Sequence, residues 1–185
     1  YNKKAFEQIK RDTGYSDGKA KEFHNALLEY FGGDYETILA GENNTAQIIR
    51  NGMDLLPTYK GSIYRGMIFK SENIKMFSEL KPGDILPNKG IIESWTSNNR
   101  TAISFGGIKS YERSSVILEC IDNKTGVGVQ HISKFGDREA EVLTSATYEV
   151  VDIVIENKFD YLSNHKELLW FPEDLEDEKT TMKGN

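Results

Sequence analysis

The chain changes its period at Pro57. Before it, apolar residues recur at helical spacing. After it, they come in short runs separated by turn residues. Lys4 to Arg11 reads as a short polar helix. Ser16 or Asp17 caps a second, with Phe23, Leu27, Leu28 and Phe31 on one stripe and Gly32-Gly33 at its end. Asp34 caps a third, ending near Gly41. Thr45 caps a fourth, with Ile48, Ile49, Met53 and Leu56 inward, and Pro57 stops it. No polar constellation is visible in these helices, so residues 1–57 read as a scaffold.

Residues 58–172 read as the β-rich core. Strands are expected over 62–69, 90–96, 114–121, 126–132, 139–144 and 147–156. A helix is expected near 71–80, a turn at Pro82-Gly83-Asp84, and a short helix over 100–105. Strands this short and closely spaced point to an antiparallel arrangement, not a parallel α/β sheet. Residues 173–185, with the acidic run Glu173-Asp174-Leu175-Glu176-Asp177-Glu178, read as a solvated, frayed tail. The start at Tyr1 and the lack of a leader pattern read as a piece of a longer chain.

Charge and composition narrow the classes of function. The net charge of -6 argues against a nucleic-acid binder, whose affinity comes from neutralising many phosphates. No apolar run approaches the roughly 18 residues of a membrane span. The single cysteine, Cys120, allows no disulfide within the chain and lies in an apolar run, where a buried thiol is expected. His24, His131 and His165 are far apart, with no metal-ligand spacing.

Three motifs carry chemistry. Arg65, between Tyr64 and Gly66, is a cation on an apolar strand, which needs an anion to meet it. A structural carboxylate serves equally well, but the bare Gly66 lets a ligand approach the backbone, and the guanidinium fork suits phosphate. Ser94-Trp95-Thr96-Ser97 places two hydroxyls on one strand face, with Ile92 before them. Such a run is also common turn chemistry. In Arg138-Glu139-Ala140-Glu141-Val142-Leu143, alternation puts Glu139 and Glu141 on one face. An exposed acidic strand face fits that pattern too.

Taken in order, Tyr-Arg-Gly, Ser-x-Thr-Ser with Ala102 and Phe105 behind it, and Glu-x-Glu-Val-Leu resemble the mono-ADP-ribosyltransferases of the arginine–serine–glutamate clade. That clade includes clostridial binary toxins, insecticidal toxins, vertebrate surface transferases and transferase domains on phage head proteins. The resemblance covers residues 61–155, and Leu80-Lys81-Pro82-Gly83-Asp84 is typical of the phage and bacterial members. It implies an α+β fold: a helical N-terminal lead-in packed on a split antiparallel β-sandwich, with NAD in the cleft between sheets.

The resemblance also implies roles. Arg65 grips NAD phosphate and Gly66 offers its backbone to the nicotinamide amide. Ser94 orients the catalytic Glu141, and Thr96 holds the third place of the Ser-Thr-Ser motif. Phe105 packs on nicotinamide. Glu139 marks members that modify arginine, and Phe135 recognises the target. Two departures stand out. Trp95 replaces the small middle residue, though its side chain points to the opposite face. Ile108 stands where some relatives carry a basic residue, which leaves Lys109 as the substitute.

The implied activity is NAD-dependent transfer of ADP-ribose to a protein arginine through an oxocarbenium-like transition state. NAD is the co-substrate and no metal is required. The implied setting is a secreted or injected effector, or a phage particle. A plain NAD glycohydrolase is the neighbouring alternative. A non-catalytic structural module of a phage or toxin protein is the alternative of a different class.

Overall fold

The computed structural model describes residues 2–33, 43–70, 74–86, 91–107, 113–132 and 139–165. The expected third helix at 34–41, Lys109, Ile108, Phe135 and the acidic tail lie outside these residues. Among the described residues, six helices and five strands are resolved. Helix α1 is Lys3–Thr13, α2 Asp17–Phe31, α3 Asn44–Met53, α4 Lys75–Ser78, α5 Asn99–Phe105 and α6 Lys158–Asn164. The strands are β1 Ile63–Lys70, β2 Glu93–Thr96, β3 Arg113–Cys120, β4 Val127–Gly128 and β5 Glu141–Thr144. None of these helices is long and apolar enough to cross a membrane.

The lead-in helices begin and end where local chemistry dictates. Asn2 Oδ1 accepts from the Lys4 and Ala5 amides, and Gly14 closes α1 in the left-handed region at φ 71°. Ser16 Oγ accepts from the Lys19 amide, so Ser16 and not Asp17 caps α2. Asn43, not Thr45, caps α3 by accepting from the Ala46 amide at 2.8 Å. Each such cap contributes about 1 kcal/mol. An added Cβ at Gly52 would lie 2.2 Å from the Phe23 ring, so α3 crosses α2 at a contact only glycine permits. The inner face of α2 is Ala20, Phe23, Leu27 and Tyr30. Leu28, expected inward, is exposed, because the buried stripe drifts one position to reach Tyr30.

The strands form one antiparallel sheet in the order β3-β1-β2-β5-β4. Its two faces are set by register. Ile92 precedes Ser94 and Thr96 on one face of β2, and pairing places Leu143 opposite Ser94 and Glu141 opposite Thr96. Ile92 and Leu143 join the core built by α1, α2 and α3. On the other face, Ile63, Trp95 and Val142 form a smaller core with Tyr59, Leu118 and Tyr148 against it. Trp95 thus points away from the hydroxyl face, as alternation implied. Cys120 is half-buried beside this smaller core, and burial pushes its thiol up.

Two expected strands are shorter or absent as ladder strands. The segment 126–132 pairs only at Val127–Gly128 before turning, with the Ile132 amide bonded to Val129 O. The segment 147–156 makes only a narrow ribbon: Gly83 and Leu86 amides donate to Val150 and Tyr148 carbonyls. Tyr148 then packs against Trp95 with ring centroids 5.0 Å apart and planes tilted by 39°, laying this ribbon across the second face. Beyond Val150 the apolar residues Val151, Val154 and Ile155 are exposed, so alternation there does not report burial. Of the helix expected at 71–80, α4 covers Lys75–Ser78 and stops before Leu80, while residues 71–73 lie outside the described residues.

Candidate active site

Three strands deliver the site, and Ser94 is its hub. Its Oγ donates to Glu141 Oε1 at 2.6 Å. Its carbonyl accepts from Arg65 Nη1 at 2.7 Å. The reason for the second contact lies in the sheet. The β1–β2 ladder is registered at Tyr64–Thr96, at the end of β2, while β1 runs on in full register with β3. Arg65 therefore reaches across where the two strands stop pairing, and its guanidinium takes the place of a ladder donor. Alternation starts Arg65 from the face of Ile63 and Met67, opposite to Ser94 Oγ and Glu141. The three motif residues meet through one serine, whose hydroxyl serves one side and whose carbonyl serves the other.

Arg65 also faces a carboxylate that the sequence reading did not single out. Its Nε lies 3.4 Å from Glu93 Oε2, with Arg65 28% and Glu93 12% exposed. The contact is an ion pair without hydrogen-bond geometry, so this buried Nε has an ion partner but no acceptor. Glu93 was readable in principle: it is two residues from Trp95 on a strand whose face meets Arg65.

The Glu139–Glu141 pair is arranged differently from the strand expected at 139–144. Strand β5 starts at Glu141. Glu139 has helical backbone, and Ala140 sits at φ 44°, the one non-glycine positive φ among the described residues. Period-two alternation therefore does not relate the two glutamates. The turn is held from β2. Thr96 Oγ1 donates to Glu139 O at 2.5 Å, and the Ser97 amide donates to Ala140 O at 3.0 Å. Thr96 is buried and uses its hydroxyl to fix this turn. Glu141 is buried at 8% exposure, whereas Glu139 is only half-buried. A left-handed alanine costs about 1 kcal/mol and survives only where its surroundings enforce it.

Gly66 and Phe105 are linked through α5. An added Cβ on Gly66 would lie 1.7 Å from Ala102 O and 2.9 Å from the Gly106 amide. The space that the sequence reading left for a ligand is filled by the last turn of α5. That packing sets Phe105, one residue before Gly106, beside β1 with its ring more than half exposed.

The lead-in supplies a group as well as a scaffold. Tyr30, buried on α2, places its hydroxyl 2.8 Å from Ser94 Oγ. Burial pushes this phenol up to about 12 from 10.0, so it is protonated at neutral pH. Sequence reasoning missed it because a tyrosine at a core position of an amphipathic helix is indistinguishable from packing.

A cavity of about 480 Å³ borders Glu141, walled by Gln8, Asp12, Tyr59, Lys60, Gln130 and His131. Arg65, Ser94 and Phe105 do not line it. His131 Nε2 lies 3.9 Å from Asp12 Oδ2. Burial holds this imidazole below its ordinary value, with Asp12 opposing.

No family model and no curated protein matches the chain. Solved structures do. Vis ADP-ribosyltransferase in complex with the M6 inhibitor superposes with a TM-score of 0.59 at 20% identity, over 85% of this chain and 82% of that one. Vis toxin, an ADP-ribosyltransferase from Vibrio splendidus, gives 0.58 at 20% identity over 83% and 76%. Vis in complex with agmatine gives 0.56 at 17% identity over 85% and 82%. The chain has the ADP-ribosyltransferase fold: helices on an antiparallel sheet with the arrangement of Vis.

Proposed function

We propose that this fold works as an NAD-dependent mono-ADP-ribosyltransferase whose acceptor is an arginine of a target protein. The observation that carries the reading is the 2.6 Å bond from Ser94 to Glu141, with Arg65 on the carbonyl of the same residue. The residues fit the co-substrate. Arg65 offers a fork for the diphosphate and a buried Nε still lacking an acceptor. Phe105 offers an exposed ring face to a flat base. NAD supplies the glycosidic bond that breaks and the ADP-ribosyl group that moves.

The chain's own part is electrostatic. Glu141 fixes negative charge where positive charge develops on the ribose as the oxocarbenium-like transition state forms. Only an interaction stronger there than in the ground state accelerates the step. Ser94 restrains that carboxylate, so little reorganisation is needed during reaction. Arg65 holds the co-substrate in place, which lowers the entropic part of the barrier. Glu139 receives the acceptor guanidinium and takes its proton as attack proceeds.

Support for a guanidinium acceptor comes from Glu139 beside Glu141 in the chain and from the agmatine bound by Vis. A glycohydrolase reading is favoured by one feature: Glu139 sits in a turn, outside the strand that aligns Glu141. Incubation of the purified chain with NAD and agmatine separates the two. Mass spectrometry is expected to find ADP-ribosyl-agmatine together with free nicotinamide. Nicotinamide without the adduct fits the hydrolase, and neither product removes the enzymatic reading. The likeness to Vis toxin supports a secreted or injected effector, and a phage-particle setting is the other proposal.

A further inference from the structure

We propose that Tyr30 is a positioning residue, the outer donor of a hydrogen-bond chain that runs from α2 through Ser94 to Glu141; this rests on the transferase reading. The direction follows from counting hydrogens. A serine hydroxyl has one, and an ionised carboxylate only accepts. The Ser94–Glu141 separation of 2.6 Å falls in the range of an O–H donor on a charged oxygen. Ser94 thus gives its hydrogen to Glu141, and the 2.8 Å contact with Tyr30 requires the phenol to donate.

The phenol is suited to that part. It is buried to 6% exposure on a helix whose neighbours Ala26 and Leu27 are packed in the core. Desolvation is the largest influence on it, and Glu141, Arg65 and Glu93 are the charged groups that act on it. Its proton is therefore present throughout the working pH range. Donation to Ser94 polarises the serine hydroxyl and strengthens its bond to Glu141, as members of a buried chain reinforce one another. Helix α2, fixed by its Ser16 cap and by the Gly52–Phe23 contact, carries the chain's rigid end. The helical lead-in is in this way part of the chemistry.

The test is kinetic. NAD hydrolysis and agmatine transfer are measured for wild type, Tyr30→Phe, Ser94→Ala and the double variant across pH. Tyr30→Phe removes one oxygen and leaves the ring. It is expected to lower kcat for both reactions about tenfold with KM for NAD within about twofold, the size of one neutral hydrogen bond at the upper end of its range. The acid limb of the kcat profile is expected to move to higher pH, because a weaker bond favours the charged carboxylate less. In the Ser94→Ala background the same change is expected to do nothing further. An unmoved acid limb, an unchanged kcat, or an equal effect in both backgrounds overturns the proposal. A wild type that releases no nicotinamide overturns the functional reading instead, and the positioning role falls with it.

Discussion

The two sides of Ser94 are built from different materials. On the hydroxyl side, Tyr30, Ser94 and Glu141 form a buried line of hydrogen bonds with one net charge. On the carbonyl side, Arg65 and Glu93 form a partly exposed ion pair. Buried hydrogen-bond chains in low dielectric are stiff and costly to disrupt. Partly exposed ion pairs are screened and exchange partners readily. On the proposed function the difference divides the labour: chemistry on the rigid side, and reversible binding of an anionic co-substrate on the other, with phosphate taking the place of Glu93.

Breaking the rigid side gives the largest expected loss. Glu141→Gln keeps the shape and removes the charge, and both nicotinamide release and transfer should fall by at least about 10²–10³. Initial rates of nicotinamide formation check this. Glu139→Gln sharpens the contrast within the glutamate pair: transfer to agmatine is expected to be lost while nicotinamide release persists. The ratio of adduct to nicotinamide reads it directly.

Changes on the carbonyl side should act through KM. Arg65→Lys retains the charge and loses the fork, so KM for NAD is expected to rise about tenfold with a smaller change in kcat. Steady-state kinetics separate the two constants. If kcat falls and KM holds, the division of labour is wrong.

Tyr30 gives a pH signature of stability. Its folded value of about 12 lies above the ordinary 10.0, so the folded chain holds this proton more tightly. The stabilisation is complete below pH 10 and is lost as pH rises from about 10 to about 12. Thermal melts of Tyr30→Phe should lack that component of the alkaline decline. The smallest expected effect is at the turn: Ala140→Gly relieves a left-handed alanine and should raise stability by about 1 kcal/mol. Denaturant titration measures it, and a loss of stability would show that the alanine methyl contributes packing.

Much of this frame was legible in the residues. Capping and helical period located α1 and α2, and β1 and β3 matched their apolar runs within a residue or so. Ser94 and Glu141 share a face because β2 and β5 pair in that register, a meeting that the family resemblance implied and alternation within one strand does not. The rest was hidden for physical reasons. Glu-Ala-Glu has strand alternation, but the turn at Ala140 is imposed from outside, by Thr96 and Ser97 on β2. The bare face of Gly66 reads as room for a ligand until α5 is known to occupy it. Tyr30 carries no local signal at all, and Glu93 only its place on the Trp95 face of β2; each acquires its function from a partner far away in the chain.

Calorimetric titration of NAD into Glu141→Gln and Arg65→Lys, each folded with a wild-type melt, tests the division at Ser94 most directly. Glu141→Gln is expected to bind NAD within about threefold of wild type and not to turn it over, while Arg65→Lys is expected to bind about tenfold more weakly. Full turnover by Glu141→Gln, or loss of binding there with binding intact in Arg65→Lys, would contradict it.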